Sequence, residues 1–262
     1  MLRKLMKYEF KATGRIFLPL FAALMIISVI NRLLMYIGLK TPGVIGIVVS
    51  VVLIVGIIVL TLILTIQRFR QNLLSSEGYL MMTLPTEVDS HILCKMIVAA
   101  AWVLVSLVVV TISILIMALA DIDIESIRAA VKVIANEFNM TAANFKVCAV
   151  EIAITAIIGL FSGILMLYAC MSLSMLVNRR RGLFSFGAYI VINSALQMIA
   201  AILFSIVAMT SIYDAIERIL HNTSAFMISQ IAILIVFLAE AVLCVVFYII
   251  TRYMLKKRLN LQ

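Results

Sequence analysis

The sequence predicts an all-α integral membrane protein with six transmembrane helices. Three observations carry that expectation. The first is composition: 65% of the 262 residues are hydrophobic and 13% are charged, with a mean hydropathy of +1.23. Soluble domains hold about 45–50% apolar and about 25% charged residues, so a water-soluble fold could not cover this much apolar surface. The second is run length. A bilayer core about 30 Å thick needs about 20 mostly apolar residues in a spanning helix, and such runs fall at residues 16–36, 44–66, 92–119, 147–176, 184–209 and 227–250. The third is charge placement. Alternating the six spans puts 15 of the 21 basic residues on one side. Lysine and arginine gather on the cytoplasmic side of membrane proteins, so both termini are expected in the cytoplasm of a multi-pass protein.

Residues 1–15, MLRKLMKYEFKATGR, precede the first span. Leu2, Leu5, Met6 and Phe10 share a helical spacing, and Arg3, Lys4, Lys7 and Lys11 fall elsewhere. A helix divided this way suits the membrane–water interface, so an N-terminal amphipathic interfacial helix is expected, in contact with membrane lipid. A secretory signal is not expected, because these residues are charged throughout and the apolar run after them is too long. Lys40, Thr41, Pro42 and Gly43 form a short outer loop between spans 1 and 2.

The segment 67–91, between spans 2 and 3, is the most polar interruption of the apolar chain. Ser75-Ser76-Glu77-Gly78 reads as a turn. Tyr79 to Leu84 is amphipathic, and Pro85 ends any helix before it. Thr86-Glu87-Val88-Asp89 fits a capping box with Thr86 as N-cap, so the third helix starts ahead of the membrane and enters it near Lys95. A break, a cap and an aromatic residue together point to an ordered helical element that could serve as a docking surface. On the outer side, Ile124, Ile127, Val131, Ile134 and Phe138 mark one face of a short amphipathic helix within 120–146.

Chemistry-bearing motifs are sparse. His91 and His221 stand in separate loops without metal-ligand spacing, and Cys94, Cys148, Cys170 and Cys244 are dispersed, as buried thiols acting as small hydrophobes would be. No GxSxG nucleophile motif or phosphate-cradling GxxxxGK[ST] appears, so no catalytic or metal site is expected. The basic residues orient the chain, and no nucleic-acid partner is expected. Gly159 and Gly163 in span 4 form a GxxxG pair that favours close helix packing. Glu240 lies near the middle of span 6, where an ionisable group is costly and is expected to face a cavity or a polar partner. Gln197 lies at similar depth in span 5 with Asn193 one turn away, so Glu240, Gln197 and Asn193 are candidates for an intramembrane polar pair or a substrate path.

RFRQNLLSSEGYLMMTLPTEVDSHILCKMIVAA at residues 68–100 resembles the loop of clostridial ABC-2-type transporter permeases. YACMSLSMLVNRRRGLFSFGAY at 168–189 and the opening MLRKLMKYEFKATGR are similar to theirs as well. The resemblance implies the permease subunit of an ATP-driven transporter in a bacterial plasma membrane, with a fold like the type V exporters. It implies a cytoplasmic coupling helix between helices 2 and 3. It also implies separate ABC ATPase subunits holding ATP and magnesium, and a second permease that is an identical copy or a paralogue. By the same resemblance Glu77, Gly78, Tyr79, Pro85, Thr86, Glu87 and Asp89 would touch the ATPase, and the Asn178–Arg181 turn could add a contact. The implied direction is export of a hydrophobic or amphipathic peptide, lipid or drug. Two alternatives stay open from the residues alone: a proton-coupled secondary transporter using Glu240, and a non-transporting immunity or signalling membrane protein.

Overall fold

The computed structural model describes residues 2–74, 88–118, 142–177, 181–209 and 225–257, together with 125, 129 and 133. Its six long helices are α1 (Leu2–Tyr36), α2 (Lys40–Leu74), α3 (Val88–Ala118), α4 (Ala142–Leu173), α5 (Arg181–Met209) and α6 (Ala225–Lys257). All six are long and apolar enough to cross a membrane. The chain is therefore an all-helical, multi-pass membrane protein. The sequence treats 1–262 as one domain; by its contacts the chain divides into two compact units, the first holding α1–α3 and the second α4–α6.

Residues 2–15 are not a helix of their own. The helix that begins at Leu2 continues without a break to Tyr36, with Pro19 inside it. On the apolar face of this part of α1, the Phe10 ring lies 6.0 Å from Trp102 of α3. At about 1.5 Å per residue, 35 residues span about 52 Å, against about 30 Å of hydrocarbon. About 20 Å of α1 therefore stands outside the apolar layer, and the basic residues place that excess at its N-terminal end.

The connection between α1 and α2 is tighter than expected. Lys40 to Gly43 already belong to α2, and Pro42 sits in its first turn, where a missing N–H costs nothing. The turn is made at Gly38, whose φ of 84° is left-handed. Its N–H donates to Met35 O at 3.1 Å, and Leu39 N–H donates to Leu34 O at 3.1 Å. This is the glycine cap that satisfies the last carbonyls of a helix.

The core of the first unit joins Phe17, Phe21 and Leu24 of α1 to Ile57 and Leu64 of α2, with Trp102, Val109 and Val110 of α3 packed against them. The Trp102 ring stacks on Phe17 with centroids 4.7 Å apart. Polar side chains cross between the helices as well. Ser28 bonds Ser113, Thr61 bonds Ser106 at 3.4 Å, and the Arg32 guanidinium donates to Ile116 O at 2.9 Å. Buried Asn31 lies so close to Gly46 that a β-carbon there would collide with its amide oxygen.

In the second unit α6 packs along α4. Leu165, Tyr168, Ala169 and Met171 of α4 are buried, as are Phe247, Thr251, Met254 and Leu255 of α6. A short 3-10 turn, Ser174–Leu176, ends α4. α5 packs on the end of α4 and on that turn, yet none of its described residues is buried.

Candidate functional site

The N-terminal part of α1 meets the N-terminal part of α3, the helix that follows residues 75–87 in the sequence. Glu9 is the only acid before Glu77. It lies on the face of α1 that also carries Thr13 and Phe17. Its carboxylate Oε1 accepts from Lys95 Nζ of α3 at 2.8 Å, with the two side chains 12% and 6% exposed. Lys95 is likewise the only lysine or arginine between Arg70 and Arg128. Two ions this deeply enclosed are stable only as a pair, because the desolvation of each must be offset by the other.

The surroundings of the pair are well packed. Thr13 Oγ1 donates to Glu9 O at 2.7 Å, which fixes the α1 backbone beside the carboxylate. The Phe10 ring lies 6.0 Å from Trp102. One turn before Lys95, His91 is buried, and Ile92, Cys94 and Phe69 of α2 are buried with it. Lys95, expected only to orient the chain, is in fact the electrostatic clamp between α1 and α3. The signal in the sequence was the lone Glu9 on an otherwise apolar helix face.

Of the residues the resemblance assigns to ATPase contact, Asp89 falls in the first turn of α3, where a carboxylate complements the helix dipole. Glu77, Gly78, Tyr79, Pro85, Thr86 and Glu87 lie outside the described residues, as does the proposed capping box up to Glu87. Most of the 120–146 segment and residues 178–180 also lie outside them, while Arg181 opens α5.

Glu240 has a different partner from the one expected. Ser162 Oγ of α4 donates to Glu240 Oε2, and also to Gly159 O at 3.0 Å. A β-carbon at Gly159 would sit 3.8 Å from the Glu240 carboxyl carbon, so the glycine brings the α4 backbone up to the acid. No hydrogen bond joins Glu240 to Gln197, which is exposed on α5, and Asn193 is half-buried there. Glu240 thus belongs to the α4–α6 contact. Only half of the GxxxG pair takes part, because Gly163 is exposed and has open space around it.

The thiols behave as expected: Cys94, Cys148 and Cys170 are buried and free, and Cys244 is half-buried and free. Cys148 adds a second polar link between α4 and α6, with Ser229 Oγ 3.6 Å from its sulfur and Gln230 Nε2 donating to it at 3.5 Å. Among the described residues no group of three or more His, Cys, Asp or Glu could hold a metal ion. An apolar groove of about 690 Å³ runs between the end of α4 and the start of α5, lined by Leu173, Val177, Leu183, Phe184, Ala188 and Ile192 among others.

No family model, curated protein or solved structure matches the chain.

Proposed function

We propose that the protein is the membrane-spanning permease subunit of an ATP-driven transporter, with ATP hydrolysed by a separate chain. The observation that supports this reading is the buried Glu9–Lys95 pair, which ties α1 to the helix that follows the polar segment 75–87. This polar segment is bracketed by α2 and α3, and α3 is clamped to the projecting end of α1 by the buried Glu9–Lys95 pair. A partner docking on the segment would push on α3, and the clamp would carry that motion into α1. The resemblance of residues 68–100 to ABC-2-type permeases supplies the identity of the partner, an ABC ATPase, and the export direction. The cytoplasmic placement of that face follows from the excess of basic residues on it. The apolar groove at α4 and α5 suits a hydrophobic or amphipathic substrate.

The test is purification from the native host in mild detergent, with identification of the chains that come with the protein. Recovery of an ATPase that is lost from the Glu77→Ala, Tyr79→Ala double variant supports the reading. A preparation that carries no ATPase even after gentle crosslinking sinks it.

A second reading, proton-coupled transport, rests on Glu240, an ionisable side chain in mid-span that is only half-buried. Its hydrogen bond to Ser162 favours a helix-locking role instead. Transport unchanged in Glu240→Gln removes the proton-coupled reading.

A further inference from the structure

α1 carries two opposite stripes along its length. Glu9, Thr13, Phe17, Leu24, Ser28 and Asn31 recur at steps of three, four or seven residues and face the interior of the first unit. On the opposite side, Tyr8, Lys11, Arg15, Leu18, Ala22, Ile26, Val29 and Leu33 recur at steps of three and four, so they too form one stripe, and every one of them is exposed. The second stripe changes character at a single point. Up to Arg15 it is basic and aromatic, and from Leu18 onward it is wholly apolar. Tyr8 is 71% exposed and Leu18 is 64% exposed, so both halves of the stripe are open.

We propose that this face of α1 seats an anionic phospholipid, its phosphate between Lys11 and Arg15 and its acyl chains along Leu18, Ile26, Val29 and Leu33. The order of groups matches that ligand. Arg15 stands at the end of the first predicted span, where the hydrocarbon meets the headgroups. Lys11 is one turn, about 6 Å, farther out, within the headgroup layer. The only acid on this part of the chain, Glu9, points to the other side and is held by Lys95, so it does not neutralise the stripe. Among the described residues neither Lys11 nor Arg15 has an ion-pair partner. A peripheral acidic protein would meet the basic residues but leave the apolar half of the stripe unexplained; a phospholipid accounts for both halves. The inference does not depend on the transport reading.

The experiment uses the full-length protein in nanodiscs made from equal parts of phosphatidylglycerol and phosphatidylcholine. It measures which lipid stays bound on release into native mass spectrometry at low salt. Preferential retention of phosphatidylglycerol is expected. The Lys11→Gln, Arg15→Gln variant should lower that preference by about 30-fold. The Arg3→Gln, Lys7→Gln variant removes the same charge about 12–18 Å farther from the hydrocarbon edge and should change it by about 3-fold or less. All four side chains are exposed, and unchanged emission from Trp102, the single tryptophan, shows that the bundle is intact in each variant. Equal retention of the two lipids overturns the proposal. So does an equal loss from the two double variants, which would mean a diffuse charge effect or a protein partner reaching beyond the headgroups.

Discussion

The α1–α3 unit and the α4–α6 unit are made of comparably apolar helices but are held together in different ways. In the first, polar or ionic groups cross between α1 and α3 at three levels, through Glu9–Lys95, Ser28–Ser113 and Arg32–Ile116 O, and Thr61–Ser106 ties α2 to α3. In the second, α4 and α6 share Ser162–Glu240 and Cys148–Ser229, but α5 contributes no buried residue among those described. The difference shows what hydrophobicity cannot do in a bilayer. Lipid tails are as apolar as leucine, so an apolar face gains little by leaving lipid for another helix, and association rests on close packing and interhelical hydrogen bonds. α5 has little of either, and its place is the least fixed by its own unit.

The largest expected effect lies at the ionic clamp. Lys95→Ala leaves the Glu9 carboxylate enclosed without its cation, and should destabilise the first unit by about 3–5 kcal/mol. Denaturant unfolding in detergent, followed by Trp102 emission, reads this directly. The exchange Glu9→Lys with Lys95→Glu should recover most of the loss. If Lys95→Ala alone is silent, the clamp does not hold α1 to α3 and the contrast between the units weakens.

Core truncation comes next. Leu24 is fully buried, and Leu24→Ala should cost about 2–5 kcal/mol through the cavity it leaves. The same unfolding experiment applies, and a loss under about 1 kcal/mol would mean that the site collapses or that lipid fills it.

Single interhelical hydrogen bonds should matter less. Ser28→Ala in the first unit and Glu240→Gln in the second should each cost about 0.6 kcal/mol and no more than about 1.7 kcal/mol. Glutamine keeps an acceptor for Ser162, so a much larger loss from Glu240→Gln would show that the acid holds α4 and α6 by more than one hydrogen bond.

The smallest effect is predicted in α5. Leu203 is 59% exposed, and Leu203→Ala should change stability by no more than about 0.5 kcal/mol. Thermal melting of the detergent-solubilised protein checks it. A loss of 2 kcal/mol or more would reveal a covering surface on α5 and sharpen the contrast into one between an intrinsically packed unit and one completed from outside.

Much of the fold was legible because its signals are local. Each apolar run of bilayer length became a helix, whereas the first turn falls at Gly38 and not at the expected Lys40–Gly43. The N-terminal segment shows where locality fails. Leu5, Met6 and Phe10 specify an apolar face, and an interfacial helix in lipid and a helix packed on α3 present the same periodicity. Glu9 carried the missing information, since a carboxylate within an apolar face needs a counterion, but nothing local says that the counterion is Lys95, 86 residues away. Glu240 repeats the lesson. Its depth showed that it needs a polar neighbour, and Gln197 matched in depth. The packing chose Ser162, because Gly159 lets the α4 backbone come close enough to place it.

By itself, then, the chain determined that it is helical, that it crosses the membrane repeatedly, and where its charges interrupt the apolar runs. These follow from backbone hydrogen bonding in a solvent that offers none and from run length. The tertiary structure alone decided which helix each polar side chain answers to: Lys95 for Glu9, Ser162 for Glu240, Ser113 for Ser28. The reason is physical. Inside lipid a buried polar group must find a partner within hydrogen-bond reach, and which partner comes within reach is set by helix rotation and contact, not by distance along the chain.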